Sequence, residues 1–345
     1  MGGSWYTDPG SGANYLCLPP NPAGGTIAKP ASYSHLGGAE YEVSNRLENN
    51  QDALCAVCFV KNRSSNIMIP GTNSCPSGWT TEYTGLLMTG NNGHAGSSEF
   101  ICVDSKLEGR IDSNADRDGR LLLLVASFCG SLPCPPYQNN NILQCVVCSK
   151  FYSWISARSG RDCTFNFWTG KGRILPRSFF FFSFLRRLLQ AVRWYVAGSL
   201  YTKFGSGANF LCLPPNPVAS TIAKPGSVAN LYGAEYEVTN RAENDYDALC
   251  AVCFVKNRTA NIMVPGTNKC PTGWTTEYTG LLMSGYDGHA GSSEYICVDS
   301  KLEGRVGSGA NNNGRLMYYV AGVCGSLPCP PYVNNNILQC VVCTK

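Results

Sequence analysis

The strongest constraint on this chain is a repeat that carries its cysteines with it. The stretch GSGANYLCLPPNP at 10–22 returns as GSGANFLCLPPNP at 205–217. Cys17 and Cys212 occupy the same place in the two stretches, 195 positions apart. The match runs without a gap over residues 3–150 and their counterparts at that offset. The sequence therefore predicts two tandem copies, each close to the usual size of a domain.

A connector of different composition separates the copies. Residues 151–197 contain eight Lys or Arg and one acid, so the net charge of +4 arises in the connector, and a nucleic-acid partner is not predicted. Its apolar run, SFFFFSFL, is too short to span a membrane. An interfacial basic helix and a faulty gene model both remain open for it. The predicted divisions are a first module at 1–150 that starts part-way into its fold, the start of a second module at 151–166, an insertion at 167–192 and the remainder at 193–345.

Cysteine content points to an oxidising compartment. The chain has 19 cysteines and only three histidines, so zinc sites would have to be almost entirely cysteine. Asn62 and Asn257 begin Asn-Xaa-Ser/Thr glycosylation sequons, which suit a secreted glycoprotein. The opening MGGSWYTDPG lacks a signal peptide, so we expect the sequence to be incomplete or wrongly assigned at its start. We predict a secreted, disulfide-rich protein.

Local patterns within each copy favour strands. AEYEV at 39–43 and ILQCVVC at 142–148 are short segments rich in β-formers and bounded by Asn, Gly or Pro. WYVAGSLYTKFGSGANFLCL at 194–213 can be aligned with EYTGLLMSGYDGHAGSSEYICV at 277–298, each followed by Cys-Xaa-Val-Cys. The predicted fold class is all-β, with two tandem disulfide-rich modules that each consist of two related β half-modules.

These segments resemble a known family. CAVCFV, IMVPGTNKCPTGWTTEYTGLLMSGYDGHAG, CGSLPCPPY and LQCVVCTK are similar to the C-terminal non-collagenous domain of short-chain (spongin-type) collagens of sponges and of related secreted invertebrate proteins. They resemble, more distantly, the non-collagenous domain of type IV collagen. The chain departs from that family because it contains no Gly-Xaa-Yaa run, so we expect no collagen triple helix.

The resemblance implies a disulfide pairing. For copy one and copy two it gives Cys17–Cys55, Cys75–Cys148, Cys102–Cys145, Cys129–Cys134, Cys212–Cys250, Cys270–Cys343, Cys297–Cys340 and Cys324–Cys329. It also implies Cys163–Cys253, with Cys163 as the first cysteine of the second module, and leaves Cys58 unpaired. The alternative of direct Cys55–Cys58 and Cys250–Cys253 redox pairs lacks the βαβ setting of such motifs.

Some polar residues at matching positions could carry chemistry. His94 and His289 lie in GHAG, where a turn role is favoured over catalysis or metal binding because no second ligand is identifiable. Glu99 and Glu294, with Asp104 and Asp299, flank one strand; a carboxylate pair is the alternative to ordinary solvated edge residues.

A calcium-like loop and several aromatic residues leave further alternatives. DSNADRDG at 112–119 alternates acidic and amide residues, but its glycine comes too late for an EF-hand, and copy two has GSGANNNG instead. The aromatic side chains are predicted to fill the core, with sugar stacking as the alternative: Trp79, Trp274, Tyr83 and Tyr278. No catalytic, cofactor-binding or metal residue is predicted.

The sequence predicts a secreted, non-enzymatic protein of the extracellular matrix. It would act through protein–protein association, with matrix proteins or further copies of itself as partners. The alternative is a secreted recognition protein that binds glycans or microbial surfaces, for which tandem copies would add avidity.

Overall fold

The computed structural model describes most of both copies. The described residues are 1–8, 12–18, 36–58, 60, 63–116, 118–151, 194–218, 221–239, 241–251, 255, 258, 260–325 and 329–345. They form strands and turns and contain no helix, which confirms the all-β prediction. Within these residues no helical segment is long and apolar enough to cross a membrane.

The described residues form sixteen strands. Those of copy one are β1 (Gly2–Gly3), β2 (Gly37–Tyr41), β3 (Arg63–Pro70), β4 (Thr80–Thr89), β5 (Ile101–Asp104), β6 (Arg120–Ser127) and β7 (Gln144–Phe151). Those of copy two are β8 (Trp194–Gly198), β9 (Leu211–Leu213), β10 (Ala229–Tyr236), β11 (Leu249–Cys250), β12 (Asn261–Pro265), β13 (Thr275–Ser284), β14 (Ile296–Asp299), β15 (Arg315–Tyr319) and β16 (Gln339–Thr344).

The same pairing pattern recurs along the chain. One central strand pairs antiparallel with the three strands that follow it: β4 with β5, β6 and β7, β13 with β14, β15 and β16, and β8 with β9, β10 and β11. We call residues 1–58 and 194–251 the front halves of the two copies, and residues 63–151 and 260–345 the back halves. The pairing around β8 and around β13 agrees with the internal symmetry that the sequence suggests.

The sequence of β4 explains its central position. Its outer residues are exposed, and its second half, GLLMT, is buried between neighbours on both sides. A Cβ atom on Gly85 would lie 2.1 Å from the carbonyl oxygen of Val103, so only glycine allows β5 to approach β4 this closely. Gly280 has the same role in β13, where its Cβ would lie 2.0 Å from the Val298 oxygen.

Parallel pairing joins the halves into one continuous sheet. β2 pairs with β6 inside copy one, and β10 pairs with β15 inside copy two. A third parallel pairing, β6 with β10, joins the two copies and places Val125 opposite Ala229. The sheet therefore runs in the order β12-β16-β13-β15-β10-β6-β4-β7-β3.

The described residues contain eight disulfides, which join strands and loops. They are Cys17–Cys55, Cys75–Cys148, Cys102–Cys145, Cys129–Cys134, Cys212–Cys250, Cys270–Cys343, Cys297–Cys340 and Cys324–Cys329. These bonds join the same cysteines as the pairing that the resemblance implies. The bond from β16 to Cys270 closes 73 residues, a loop length for which chain entropy predicts about 4 kcal/mol of stabilisation. Disulfides in this number are consistent with an extracellular protein.

Some sequence predictions fall outside the described residues. These are the Cys163–Cys253 bond, the sequon residues Asn62 and Asn257, and the connector predictions for 152–166 and 167–192. Cys58 is described, and it is an exposed free thiol.

Candidate interaction faces

The two copies share a core where the back half of copy one meets the front half of copy two. This junction core contains, from copy one, Leu87, Phe100, Val125, Leu132, Tyr137, Leu143 and Cys145, and from copy two, Ala197, Leu211, Leu213, Ala229 and Leu231. All of these side chains are buried. Burial on this scale makes the copies one body, because each apolar side chain removed from water contributes about 1.5–3 kcal/mol.

Polar contacts fix the register of this junction. Asn209 caps the strand edge beside Phe100: its Oδ1 accepts the Phe100 amide at 2.8 Å and its Nδ2 donates to the Phe100 carbonyl at 3.3 Å. The Tyr137 hydroxyl donates to the Pro214 carbonyl at 2.5 Å, and burial raises the Tyr137 pKa well above its ordinary value. Buried groups that satisfy one another in this way allow a single alignment of the copies.

No described residue covers the back half of copy two in this way. Phe100 of the junction core is 2% exposed, whereas its counterpart Tyr295 is 63% exposed. Ile337 is exposed, whereas its counterpart Ile142 is buried in a neighbouring cluster on which Ile222 and Val228 of copy two pack. Val320 is half-buried, whereas its counterpart Val125 is completely buried. We call the surface formed by Tyr295, Val320 and Ile337 the open back face.

In the front half of copy one, the residues equivalent to the copy-two side of the junction core are not covered in the same way by any described residue. Leu36 is 54% exposed, and its counterpart in the junction core, Leu231, is 0% exposed. Leu18 is exposed as well, and Leu16 is half-buried. We call the surface formed by Leu16, Leu18 and Leu36 the open front face. The chain thus ends in two apolar faces that correspond to the two sides of its own internal junction.

Equivalent loops of the two back halves meet beside the junction. The hydroxyls of Ser97 and Ser292 are hydrogen-bonded to each other. Burial, and then repulsion from Glu99, raise the pKa of Glu294 to about 7, although Arg315 acts in the opposite direction. Burial also raises the pKa of Glu99. Both glutamates are half-buried rather than fully solvated, and the choice between edge residues and a carboxylate pair stays a prediction.

Two buried arginines lie behind these glutamates. Arg120 donates to the Ser4 hydroxyl at 2.7 Å and to the Ala13 carbonyl, with its guanidinium 4.9 Å from the centre of the Tyr15 ring. Arg315 makes the corresponding contacts in copy two, where burial lowers its pKa to about 10. Each arginine ties the front half of its copy to the back half, a structural role that no sequence motif indicates.

The histidines of the GHAG turns stack on tyrosines. The ring centres of His94 and Tyr6, and of His289 and Tyr201, are 4.6 Å apart. Burial lowers the pKa of His94. The Nδ1 atoms of both histidines are buried without a hydrogen-bond partner. The predicted turn role agrees with this packing.

The other candidate acids are the last residues of strands β5 and β14, and they cap the turns that follow. Asp104 Oδ1 accepts the Lys106 amide at 2.9 Å, and Asp299 accepts the Lys301 amide at the same distance. These short-range caps account for both side chains, and they do not pair with the glutamates at the junction in any described contact.

The calcium-like loop contributes one residue to an acidic group. Oxygen atoms of Glu40, Glu42 and Asp116 lie within 4.8 Å of one another. Burial, followed by repulsion from Asp116 and Glu40, raises the Glu42 pKa to about 7. The other acidic residues of the loop are not part of this group. The alternating pattern at 112–119 therefore did not predict which residues come together. Copy two has Asn311 in place of Asp116, so the group is confined to copy one.

The predicted core aromatics are mostly internal. Tyr278 is buried and its hydroxyl donates to the Cys297 carbonyl at 2.7 Å. Tyr83 donates to the Cys102 carbonyl at 2.9 Å. Trp79 is half-buried against the core, with the Lys150 ammonium 5.3 Å from its ring centre. Trp274 is also half-buried. These contacts favour structural roles over sugar stacking.

An open groove of about 620 Å³ distinguishes copy one from copy two. The exposed side chains of Leu47 and Ile111 line it, and Gln51 lies in it. Copy two has Tyr246 in place of Gln51. The Tyr246 side chain packs directly on Gly304, where an added Cβ would lie 2.5 Å from the tyrosine Cβ. In copy one the Gln51 side chain packs on Gly109 in the same way, with its Cβ also 2.5 Å from the position of an added Cβ, so the copies differ here in the size of the side chain.

Comparison of the two copies in the sequence could have revealed some of these features. The replacement of Gln51 by Tyr246 is visible there, but its effect on a groove is not. No family model matches the chain, and no solved structure matches it. The resemblance to non-collagenous collagen domains therefore stays a prediction.

Proposed function

We propose that this chain is an extracellular, matrix-type structural protein that works by protein–protein association rather than catalysis, with a second copy of itself as partner. The observation that supports this function is the pair of open faces at its two ends. Each open face corresponds to one side of a junction that is fully buried inside the chain. The open back face of one molecule is thus matched to the open front face of the next.

Such a contact is heterologous, because two different surfaces meet. It can repeat from molecule to molecule, as a structural role requires. Apolar faces exposed at both ends also favour association over an isolated chain, since water is released when they are covered. The eight described disulfides restrict the conformations of the chain, so that both faces are pre-organised before they meet.

Sedimentation velocity over a range of protein concentrations tests this function. The unmodified chain is expected to form oligomers as the concentration rises. Ile337→Arg in the open back face and Leu36→Arg in the open front face should each stop growth, because either charge would be buried without a partner. Val306→Arg is the matched control, since Val306 is 83% exposed and its counterpart Ile111 is 84% exposed, so neither is covered at a junction.

Mixing the two blocked variants distinguishes this arrangement from a symmetric dimer. Ile337→Arg retains an open front face and Leu36→Arg retains an open back face, so an equimolar mixture should form a dimer and nothing larger. A chain that stays monomeric at all concentrations would refute the proposed association. Oligomers that both arginine variants still form would show that other surfaces are responsible.

A further inference from the structure

Copy two carries a cluster of four aromatic rings on its surface, near the ends of β8, β13 and β15. The ring centre of His289 lies 4.6 Å from Tyr201, 5.1 Å from Tyr286 and 5.8 Å from Tyr318. Tyr286 and Tyr318 are 5.5 Å apart. We call these four residues the aromatic patch. Each ring supports the orientation of the next.

The outermost ring is held in place while it faces solvent. Tyr286 is 51% exposed. An added Cβ on Gly288 would lie 2.5 Å from Cε1 of Tyr286, so this ring lies against the backbone of its own turn. Contacts with Gly288, His289 and Tyr318 restrict its rotamers, and a ligand would meet a pre-arranged surface.

Negative charge surrounds the aromatic patch. The Tyr318 pKa is raised to about 12, first by burial, then by Glu237 and the neighbouring tyrosines, and also by Asp245. Glu237 lies directly beside the strand of Tyr318, because its amide donates to the Met317 carbonyl at 2.9 Å. Asp287, next to Tyr286, is exposed. Aromatic faces and carboxylates both attract cations.

Copy one lacks the outer tyrosines of this arrangement. It keeps the stacked Tyr6 and His94 and the acid Glu42. Asp118 acts electrostatically on both His94 and Glu42, so copy one differs chiefly in its missing outer tyrosines. The residues that replace the two outer tyrosines and the two aspartates are, in the order Tyr286, Tyr318, Asp245 and Asp287, Asn91, Leu123, Asn50 and Asn92. Because β4 and β6 form in copy one without the two outer tyrosines and the two aspartates, the equivalent strands β13 and β15 do not require these residues. They are therefore available for binding.

We propose that the aromatic patch and its carboxylates bind a basic side chain, in particular arginine, of a partner polypeptide. A planar guanidinium can stack on a tyrosine ring while it donates hydrogen bonds to a carboxylate at the ring's edge. Lysine offers a point charge without the stacking, so it should bind more weakly. This binding goes beyond the association proposed above, since it involves neither the junction core nor its counterparts at the two open faces.

Fluorescence anisotropy with a labelled peptide tests the proposal. The probe is a short peptide of arginines spaced by glycines, added to the full chain at a concentration where the chain is monomeric. Tyr286→Asn and Tyr318→Leu introduce the residues of copy one, and each should weaken binding about five-fold. Asp287→Asn should weaken it less, and added salt should weaken it in all proteins. Val306→Ala, which truncates an exposed side chain outside the aromatic patch and both open faces, is the matched control and should leave the affinity unchanged.

A peptide with citrulline in place of arginine provides the second control. It keeps the shape of the side chain and removes the charge, so it should bind at least ten-fold more weakly if cation recognition operates. Equal binding of both peptides, or unchanged binding by Tyr286→Asn and Tyr318→Leu, would overturn the proposal. Unfolding midpoints of the variants report whether each is folded. Because the assay uses monomers, a negative result here leaves the association experiment unaffected, and the converse also holds.

Discussion

The two back halves are the most instructive comparison in the molecule. They share their strands, their three disulfides and the glycine that lets the second strand approach the first. They differ in what lies on top of them: the front half of copy two covers one, and none of the described residues covers the other in the same way. Phe100 is replaced by Tyr295, whose hydroxyl tolerates water. One framework thus serves both as an internal support and as an exposed end.

The largest expected effect comes from removing the ring at this position in each half. Phe100→Ala should lower the free energy of unfolding by about 3–5 kcal/mol, because it leaves a cavity in the junction core. Tyr295→Ala should change it by less than about 0.5 kcal/mol, because an exposed side chain loses little on truncation. Urea unfolding of both variants at a concentration where the chain is monomeric measures the difference.

Equal losses of unfolding free energy in the two variants would contradict this difference between the back halves, since they would mean that Tyr295 is as well covered as Phe100. A loss of unfolding free energy from Tyr295→Ala that appears only at high protein concentration would instead support the difference between the two halves. That result would place Tyr295 in a contact between molecules, as the proposed function expects.

Much of the fold could be predicted from the sequence because covalent and periodic signals survive without knowledge of contacts. The 195-residue offset locates equivalent positions in both copies, and the short β-rich segments near Tyr41 and Val146 lie in or beside observed strands. The matched spacing of the front and back segments anticipated the shared pairing of β8 and β13. These signals depend on local residue types and on chain order, which a sequence displays directly.

The relation between the copies could not be predicted in the same way. A repeat looks identical in sequence whether its copies stay apart or share a core. The raised pKa of Glu294 depends in part on Glu99 of the other copy, and nothing near Glu294 in sequence indicates that neighbour. The acidic group around Glu42 shows the same limit, because it joins β2 to a loop that is more than 70 residues away. In the sequence, the aromatic patch shows only as two tyrosines of copy two that copy one replaces with other residues.

A second prediction uses the pH dependence of stability at the contact between copies. Glu294 has a folded-state pKa of about 7, above its ordinary value of 4.5. A raised carboxyl pKa stabilises the fold at low pH, and this contribution is lost as the pH rises from about 4.5 through 7. Glu294→Gln keeps a neutral side chain throughout, so it should be more stable than the unmodified chain at pH 8, by on the order of 2 kcal/mol. Unfolding measured from pH 4 to pH 8 checks the sign.

Glu99→Gln is the control that relates this effect to the contact. Removing the Glu99 charge should lower the Glu294 pKa, so part of the gain at pH 8 should appear in this variant too, and the double variant should gain less than the sum. Full additivity of the two changes would mean that the two glutamates do not interact. An unchanged pH profile for Glu294→Gln would show that its carboxyl is hydrated in the folded protein.

The smallest effect concerns the groove of copy one, at the position where copy two has a tyrosine. Gln51→Tyr introduces the residue that copy two has at Tyr246, next to a glycine that is present in both copies. The new ring should bury more of the apolar surface near Leu47 than the Gln51 side chain does, and raise the free energy of unfolding by about 1 kcal/mol. Urea unfolding measures the gain, and the reverse change, Tyr246→Gln, should lose a similar amount. If neither variant changes the free energy of unfolding, the tyrosine ring does not stabilise copy two by packing. The copies would then differ in shape at this place but not in stability.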